Sequence, residues 1–268
     1  MKQAATLSAR DGKVVRAILL DDNAKDFLDN LEMKKVLEAA RAAIGHKLDI
    51  LGMDACLMSM GEVVYQVRDS VLFTVGSEET EPVAGWPYDT ILEALSHTPD
   101  MTPPELCKLI VKHYLSSYKK TSEAVTQSAI DLSAPAAFIR ACKTFASALK
   151  AGLANGTTRT GIVDARNRVQ EYEVPDNVDL IDLCRLLKTA SVSKTIKRAC
   201  DLVVAAVEGS PGLVIASGYC GAPMKRSHGV ALYFPTRRLS PLYANLDFTK
   251  KTGWGTFLKQ YLVVTRAR

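Results

Sequence analysis

Cys56 is the residue of this chain whose surroundings best fit a reactive nucleophile. An apolar run, residues 48–51, ends at Gly52, and Asp54 and Cys56 follow it directly. The run predicts a buried strand, and the segment after Cys56 predicts a helix. In an open α/β sheet, ligands and chemistry lie at the carboxyl ends of the strands. Because a thiolate is intrinsically nucleophilic, this position predicts thiol chemistry at Cys56.

The other five cysteines show no spacing typical of a metal site or of a disulfide framework. Most of them lie in apolar helical patterns, where a thiol acts as a small core hydrophobe. These core cysteines are Cys107, Cys142, Cys184 and Cys200. The sequence therefore singles out Cys56 and predicts no metal site.

Composition and charge exclude several classes of protein. The chain has 268 residues, of which 47% are hydrophobic, enough for one large α/β domain or two small ones. Its net charge of +5 is spread without a long basic run, so no nucleic-acid partner is expected. No segment approaches the roughly 20 apolar residues needed to cross a bilayer, so no membrane span is expected. The first residues lack the apolar centre of a signal peptide.

The elements around Cys56 form a β-α-β pattern. A strand is expected over residues 13–20, an exposed acidic loop over 21–26 and a helix over 31–44. The Cys56 strand, a helix to about residue 68 and a strand over 71–75 follow, which favours parallel strands with a right-handed crossover. The loop 76–88 leaves the carboxyl end of the second strand and is therefore expected beside Cys56.

The rest of the chain is predicted to be mostly helical. Residues 91–153 form helices with one extra strand over 126–132, and the polar section 155–177 is expected to be loop. A helix over 180–207, strands over 212–216 and 229–234, and a closing helix over 254–263 complete the pattern.

Several segments together resemble the clostripain family of cysteine peptidases, in the caspase-like clan. They are Gly52-Met53-Asp54-Ala55-Cys56-Leu57-Met58-Ser59, Gly76-Ser77-Glu78-Glu79, Gly85-Trp86-Pro87-Tyr88, Ser128-Ala129-Ile130-Asp131-Leu132 and Gly229-Val230-Ala231-Leu232-Tyr233-Phe234-Pro235. The likeness extends from about residue 14 onward. It implies a caspase-like open, mostly parallel sheet flanked by helices, with a helical C-terminal extension and with N-terminal strands missing. Residues 1–153 would be the C-terminal part of the catalytic domain, and 154–268 an α/β extension packed on it.

The resemblance implies an endopeptidase that cleaves after Arg or Lys, with Cys56 as nucleophile and one histidine as partner. Asp54 would lie at the bottom of the pocket for the basic side chain, where a charge pair discriminates strongly. The alternative for Asp54 is a cap on the following helix. Ala84 stands where many relatives carry Asp, which removes one carboxylate from the expected pocket.

The loop after the second strand supplies the remaining substrate-binding residues that the resemblance implies. Ser77, Glu78, Glu79 and Trp86 would shape the rim of the pocket. The alternative is a solvated acidic loop with a packed indole.

The partner histidine of the family belongs to a His-Gly motif that ends a strand well ahead of the cysteine. His46 precedes the Cys56 strand, whose rise of about 3.3 Å per residue would set it toward the opposite edge of the sheet. His228 is followed by Gly229 but opens a strand, and His97 and His113 fall on or near helices. We therefore expect the histidine on an N-terminal light chain or upstream segment that also covers the open strand edge.

Three further expectations concern processing, ions and location. By the resemblance, relatives are often cut into a light and a heavy chain, and Lys25-Asp26 is the candidate site for such a cut here. The alternative is an ordinary polar loop. No cofactor is expected, and calcium follows only from the resemblance, because the spacing of Asp21, Asp22, Asp26 and Asp29 departs from an EF-hand and favours a solvated face. If the natural start lies upstream, the family suggests a secreted or envelope enzyme of a bacterium.

Three functions remain open at this level. The first is a cysteine endopeptidase, or its heavy chain, whose histidine lies on another segment. The second is a catalytically silent pseudo-peptidase that acts as a binding or regulatory module. The third is a different thiol enzyme that uses His228.

Overall fold

The computed structural model describes residues 18–21 and 26–266. The strands are β1 (Ile18–Asp21), β2 (Asp26–Leu28), β3 (Leu48–Gly52), β4 (Val71–Gly76), β5 (Val125–Asp131), β6 (Asn177–Asp179), β7 (Val214–Cys220) and β8 (Ala231–Tyr233). The helices are α1 (Asn30–Ile44), α2 (Gly61–Val67), α3 (Tyr88–His97), α4 (Pro103–Tyr118), α5 (Ala136–Gly152), α6 (Gly156–Arg168), α7 (Leu180–Thr189), α8 (Lys194–Glu208), α9 (Asp247–Thr252) and α10 (Trp254–Arg266).

A four-stranded sheet in the order β3-β4-β5-β7 forms the centre of the fold. Strands β3 and β4 are parallel, as the β-α-β pattern predicts. Strands β4 and β5, and β5 and β7, pair antiparallel. The α/β class with helices around a central sheet is confirmed, but the expectation of a mostly parallel sheet is wrong for the described strands. The chain leaves β4 at Gly76, and helices α3 and α4 bring it back to the same edge of the sheet. Strand β5 therefore starts at that edge and runs antiparallel to β4, with Ser128 opposite Gly76.

The strand that precedes Cys56 is less buried than its apolar sequence predicts. No residue of β3 is fully buried, whereas five of the six residues of β4 are. In the described sheet β3 has a neighbour on one side only, because it stands at the end of the strand order. The predicted buried strand is therefore an edge strand in this structure.

Two hydrophobic clusters lie against the central sheet. The larger extends from Met33 to Leu262 and includes buried residues both before and after residue 153. The smaller joins Val75 and Trp86 to Tyr114 and Tyr118 of α4. The larger cluster links the two proposed parts of the chain, and the boundary at residue 153 stays a prediction.

Residues 156–168 of the polar section form helix α6, so the assignment as loop is wrong there, whereas residues 169–176 connect α6 to β6 without a helix or a named strand. Asn155 caps α6 by accepting a hydrogen bond from the Thr158 amide at 2.9 Å. Ile162 and Ala165 bury one side of this helix, which polar composition and the turn-forming Asn155-Gly156 pair conceal in the sequence. The single helix expected over 180–207 is instead the pair α7 and α8, and Ser193 caps the second.

The N-terminal strand expected over residues 13–20 is confirmed for residues 18–20, which lie in β1. Asp21 and Asp26, the two ends of the expected loop, belong to β1 and β2, which pair antiparallel, and the residues between them lie outside the described ones. Residues 13–17, Asp22 and Lys25 lie outside the described residues, and cleavage at Lys25-Asp26 stays a prediction. Asp29 caps α1 through the amides of residues 31 and 32 rather than facing an ion.

Among the described residues, no group of three or more His, Cys, Asp or Glu side chains could hold a metal ion. No described helix is both long and apolar enough to span a membrane.

Candidate active site

Cys56 lies in a turn between β3 and α2, held by the loop that follows β4. The next residue, Leu57, has a positive φ of 63°, a conformation that is rare for a residue other than glycine. Its amide donates to the carbonyl of Glu79 at 3.1 Å, and the Ser59 amide donates to Ser77 at 2.8 Å. These two bonds maintain the unfavourable turn, and such strain is found most often at functional sites.

Helix α2 begins at Gly61 and its N-cap is Met60, so Cys56 belongs neither to its first turn nor to its cap. The N-cap of α2 is Met60, which makes no side-chain capping bond. The carboxylate of Asp54 contacts Trp86 and Tyr88 instead, so the alternative of Asp54 as a helix cap is wrong.

The thiol of Cys56 is half-buried and lacks a cationic partner among the described residues. Burial raises the pKa of Cys56, the Glu81 amide partly offsets this, and the charges of Glu81 and Glu79 raise it further. The Glu81 amide donates to the sulfur at 3.3 Å. As it stands, the thiol is mostly protonated at neutral pH, and only a nearby imidazolium or another positive group would favour the thiolate.

All four histidines of the chain are described, and none forms a hydrogen bond with Cys56 in this part of the structure. Nδ1 of His46 lies 2.8 Å from the Lys47 carbonyl, at an exposed turn. His97 and His113 likewise contact neighbours near the surface. For His228, Nδ1 lies 3.0 Å from Asp179 and Nε2 faces the guanidinium of Arg185. Both ring nitrogens of His228 are therefore engaged away from the thiol, which removes the basis for an enzyme that uses it.

The structure brings Asp54 and Trp86 together beside Cys56. Oδ2 of Asp54 accepts hydrogen bonds from the Trp86 amide at 3.2 Å and from the Tyr88 hydroxyl at 3.0 Å. The Asp54 side chain is on the exposed side of the loop, whereas the indole of Trp86 is buried. The carboxylate thus lies at the surface of the site and the indole behind it.

Sequence reasoning missed Glu81, which forms a carboxyl pair with Asp54. Oε2 of Glu81 accepts from the indole of Trp86 at 2.8 Å. Burial, and then the hydrogen bond and charge of Asp54, raise the pKa of Glu81 to about 9. Glu81 therefore holds a proton at neutral pH, because burial and the neighbouring carboxylate both disfavour its charged form. The acidic loop was a signal for Glu81, but only the folded loop shows which of its acids faces Cys56.

Glycine is required at two positions where the backbone approaches this pair. A Cβ on Gly85, which has a φ of 62°, would lie 2.7 Å from Oδ2 of Asp54. A Cβ on Gly52 would lie 3.0 Å from the Trp86 ring. The two glycines let the loop close over Asp54 and place the indole against the end of β3.

Ser77, Glu78 and Glu79 are buried, so the alternative of a solvated acidic loop is wrong for these three side chains. Oγ of Ser77 lies 2.9 Å from the Thr126 hydroxyl. Glu78 accepts from the Gly229 amide at 2.9 Å, and Glu79 accepts from the amide of residue 173 at 3.0 Å. These bonds hold the loop that supports Cys56, and a direct role of the three residues in substrate binding stays a prediction.

Comparisons with known proteins agree with this arrangement. A family model described as the clostripain family matches residues 4–261. A clostripain from Bacteroides thetaiotaomicron, in complex with the peptide inhibitor BTN-VLTK-AOMK, has a TM-score of 0.61 and 16% identity, covering 88% of this chain and 99% of that one. A search of curated proteins found no match.

Two longer proteins share the same fold. An inactive zymogen of a C11 protease from Parabacteroides distasonis has a TM-score of 0.58 and 18% identity, covering 81% of this chain and 62% of that one. A secreted C11 cysteine protease from Bacteroides thetaiotaomicron, in complex with an irreversible peptide inhibitor, has the same score and identity, with coverages of 87% and 64%. The present chain thus spans less than two thirds of these relatives. At such identities the structures show a common fold, while the family model covers most of the sequence: the chain belongs to the clostripain family of cysteine peptidases.

Proposed function

We propose that this chain is the cysteine-bearing part of an endopeptidase that cleaves peptide bonds after Arg or Lys. The observation that carries the proposal is the pair of carboxyl groups, Asp54 and Glu81, next to the Cys56 thiol. A cationic side chain between them would form charge-assisted hydrogen bonds to both. A neutral side chain would leave two carboxyl groups without that partner, which is the strongest basis for discrimination in a binding site.

The chemistry that we propose is acyl transfer to sulfur. Sγ of Cys56 attacks the carbonyl carbon of the residue that fills the carboxyl pocket, and backbone amides around residues 52–56 stabilise the oxyanion. An imidazole takes the thiol proton and gives it to the leaving amine, and water then releases the acyl group from sulfur.

The imidazole belongs, in this proposal, to an upstream segment or light chain that lies against β3. The free side of β3 and the partly exposed residues along it fit the addition of further strands. The raised pKa of Cys56 also fits a thiol that awaits a cationic partner. The chain spans almost all of one inhibitor-bound relative but 62% of the zymogen, which agrees with a protein made of two segments.

The named relatives support two finer parts of the proposal. The peptide in the inhibitor BTN-VLTK-AOMK ends in K, which agrees with a basic residue before the cut. One relative is a secreted protease, which supports a location outside the bacterial cytoplasm for this one. Release of the upstream segment by cleavage at Lys25-Asp26 is a further part of the proposal, and so is a requirement for calcium, which the experiment below includes.

The test uses the 268-residue chain, alone and together with the segment encoded upstream of it. Arg- and Lys-amide substrates are supplied with calcium and with a chelator, and amine release is measured. We expect cleavage with the upstream segment and none after Cys56→Ala. The matched control is Cys220→Ala, because Cys220 is also free and partly exposed but lies on β7, at the other end of the strand order from β3.

Two results would contradict parts of this proposal. Cleavage by the chain alone, dependent on Cys56, would show that an internal group serves as the base. No cleavage in any combination would favour the catalytically silent pseudo-peptidase, since the isolated thiol is held in its neutral form.

A further inference from the structure

Asp179 is a fully buried acid that ends β6 and caps helix α7. Its Oδ1 accepts from the Asp182 amide at 2.6 Å and lies 3.0 Å from Nδ1 of His228. Its Oδ2 accepts from the His228 amide at 2.6 Å and from the Tyr172 hydroxyl at 3.4 Å. Both oxygens thus act as acceptors, which is the hydrogen-bonding capacity of an ionised carboxylate.

Glu78 lies beside Asp179 although it comes from a distant part of the chain. Its Oε2 accepts from the Gly229 amide at 2.9 Å, while the amide of the preceding residue binds Asp179. Successive amides of one segment therefore bind the two carboxyl groups, which places these groups next to each other. Burial, and then the charge of Asp179, raise the pKa of Glu78 well above its ordinary range. Glu78 is thus the protonated member of the pair, and its hydroxyl is a donor for Asp179.

The segment that carries these amides also holds the end of the Cys56 turn. The carbonyl of Gly229 accepts from Oγ of Ser59 at 2.7 Å, and the Ala231 amide donates to the Ser59 carbonyl at 2.9 Å. Ser59 follows Cys56 by three residues. The segment is therefore bonded to the turn directly, and through Glu78 it is bonded to the loop that supports the turn.

The loop that carries Glu78 holds the strained part of the turn. The carbonyl of Glu79 accepts from the Leu57 amide at 3.1 Å, and the Glu81 amide donates to the Cys56 sulfur at 3.3 Å. Burial is the largest cause of the raised pKa of the Cys56 thiol. A change that releases Glu78 should therefore let the turn relax, expose the sulfur and lower the pKa of the thiol.

We propose that Asp179 is a positioning residue for the Cys56 thiol and acts through Glu78 and through the backbone amides of residues 228 and 229. The inference rests on the proposed function for its effect on catalysis, whereas its effect on the thiol is measured without any cleavage. Asp179 is needed in its ionised form, as an acceptor, and Glu78 in its neutral form, as a donor. Replacing the two acids by their amides should therefore have different consequences.

The test measures the rate at which iodoacetamide alkylates Cys56 in the 268-residue chain, as a function of pH, with mass spectrometry identifying the modified peptide. Asp179→Asn keeps the oxygen that caps α7 but places an NH2 group against the His228 amide. We expect its pH profile to shift to lower pH, and alkylation at pH 7 to be faster by up to about tenfold, since a pKa lower by one raises the thiolate fraction about tenfold. The charges of Glu79 and Glu81 act on the sulfur in every variant, so comparison between variants removes their effect.

Glu78→Gln is the companion variant. A glutamine reproduces the protonated carboxyl group, because its carbonyl accepts from the Gly229 amide and its NH2 group donates to Asp179. Its alkylation profile should match that of the unmodified chain. A shift as large as that of Asp179→Asn would show that Glu78 acts as an anion, and would overturn the proposed pair.

Two more variants separate positioning from folding. Asp179→Ser also caps a helix but is too short to reach the His228 amide, so it should shift the profile in the same direction and serves if the asparagine variant does not fold. Asp247→Asn is the matched control, because Asp247 pairs with Lys34 and Arg68 at 2.8 and 2.9 Å instead. It should lower the free energy of unfolding in urea and keep the profile. Equal shifts in Asp247→Asn and Asp179→Asn would show a response to general loss of stability, and would overturn the positioning role.

Steady-state kinetics with the upstream segment measure the effect on catalysis. Asp179→Asn should lower kcat for the Arg-amide substrate by up to about a hundredfold, as small displacements of a reacting group do. KM should change little, because Asp54 is held by Trp86 and Tyr88 rather than by this segment. Glu78→Gln should keep both constants.

The outcomes distinguish this inference from the proposed function. An unchanged alkylation profile in both Asp179 variants, with cleavage by the unmodified protein, would overturn the positioning role and leave the peptidase standing. A shifted profile without cleavage by the unmodified protein would overturn the proposed function and support the positioning of the thiol.

Discussion

At the scale of single residues, the pocket combines an exposed and a buried carboxyl group. Burial and the neighbouring Asp54 raise the pKa of Glu81 to about 9, so Glu81 holds a proton at neutral pH. A basic side chain interacts most strongly when both groups are ionised. Protonation of Glu81 therefore competes with the binding of a basic side chain to Asp54 and Glu81.

This competition predicts a pH-dependent affinity. Between pH 6 and 9 we expect the Kd of agmatine, a small amine that carries the guanidinium of Arg, to fall as pH rises, by at most about tenfold per pH unit for one displaced proton. Glu81→Gln should remove most of this dependence, while Glu93→Gln, an exposed acid on α3, should not. Calorimetry in buffers of different ionisation enthalpy would also show proton release, and equal slopes in all three proteins would contradict displacement of a proton from Glu81.

The same proton affects folding stability. Glu81 has a pKa of 4.5 as its ordinary value and about 9 in the folded chain, so between these values the native state holds a proton that the unfolded chain lacks. The free energy of unfolding should therefore fall as pH rises through this window. Comparison of the unmodified chain with Glu81→Gln by urea denaturation at pH 6 and pH 9 measures this difference.

At the scale of elements, the loop between β4 and α3 organises the site. Its carbonyl at Glu79 holds Leu57, its amide at Glu81 contacts the sulfur, and its Trp86 and Tyr88 contact Asp54. Gly85 permits the closest approach, because any side chain there would meet the Asp54 carboxylate. One loop therefore sets both the thiol environment and the pocket.

Gly85→Ala should damage the pocket more than the fold. A left-handed conformation costs a residue with Cβ roughly 1–2 kcal/mol, so we expect a loss of about that size in urea denaturation. The clash of the new Cβ with the Asp54 carboxylate should in addition raise the Kd of agmatine about tenfold or more, as loss of a charged hydrogen bond does.

Gly45→Ala is the matched control for that change. Gly45 also has a positive φ, of 81°, but a Cβ there would meet nothing within 4 Å. The Gly45→Ala variant should lose a similar free energy of unfolding and keep its affinity for agmatine. An equal loss of affinity in both variants would show that backbone strain, not the Asp54 contact, is responsible.

At the scale of the whole molecule, one large core joins the segments on either side of residue 153. Trp254 of α10 is fully buried, and its indole donates to the Tyr233 carbonyl at 2.9 Å. Its ring stacks on Phe145 of α5, at 5.8 Å between centroids. The last helix is thus part of the same core as the segment that carries Cys56.

We expect the chain to unfold in a single transition that includes the site. Trp254→Ala should lower the free energy of unfolding by about 3–5 kcal/mol, as loss of a buried aromatic residue does. The chain has two tryptophans, so the fluorescence of this variant reports on Trp86 alone. The midpoint of the thermal unfolding followed by Trp86 fluorescence should shift together with the midpoint of the calorimetric transition.

An unmoved Trp86 midpoint, or two calorimetric transitions, would show that the segments before and after residue 153 unfold independently. Trp254→Phe keeps an aromatic ring and should produce a smaller shift of the same single transition.

Local pattern predicted much of this structure. The apolar run before Gly52 and the punctuation around Cys56 placed the thiol after a strand, and the β-α-β spacing predicted the parallel pairing of β3 and β4, which is confirmed. These features depend on residues near one another in the chain. The pattern failed at α6, where the buried side of a polar helix becomes visible only against its neighbours.

The tertiary structure alone decided which acids face the thiol. The resemblance singled out Glu78 and Glu79 in the acidic loop and passed over Glu81, whereas folding buries the first two side chains and places the carboxyl group of Glu81 against the indole of Trp86, near Asp54. Hydrophobic periodicity and turn residues determine elements, whereas burial and the pairing of distant groups determine the chemistry of a pocket.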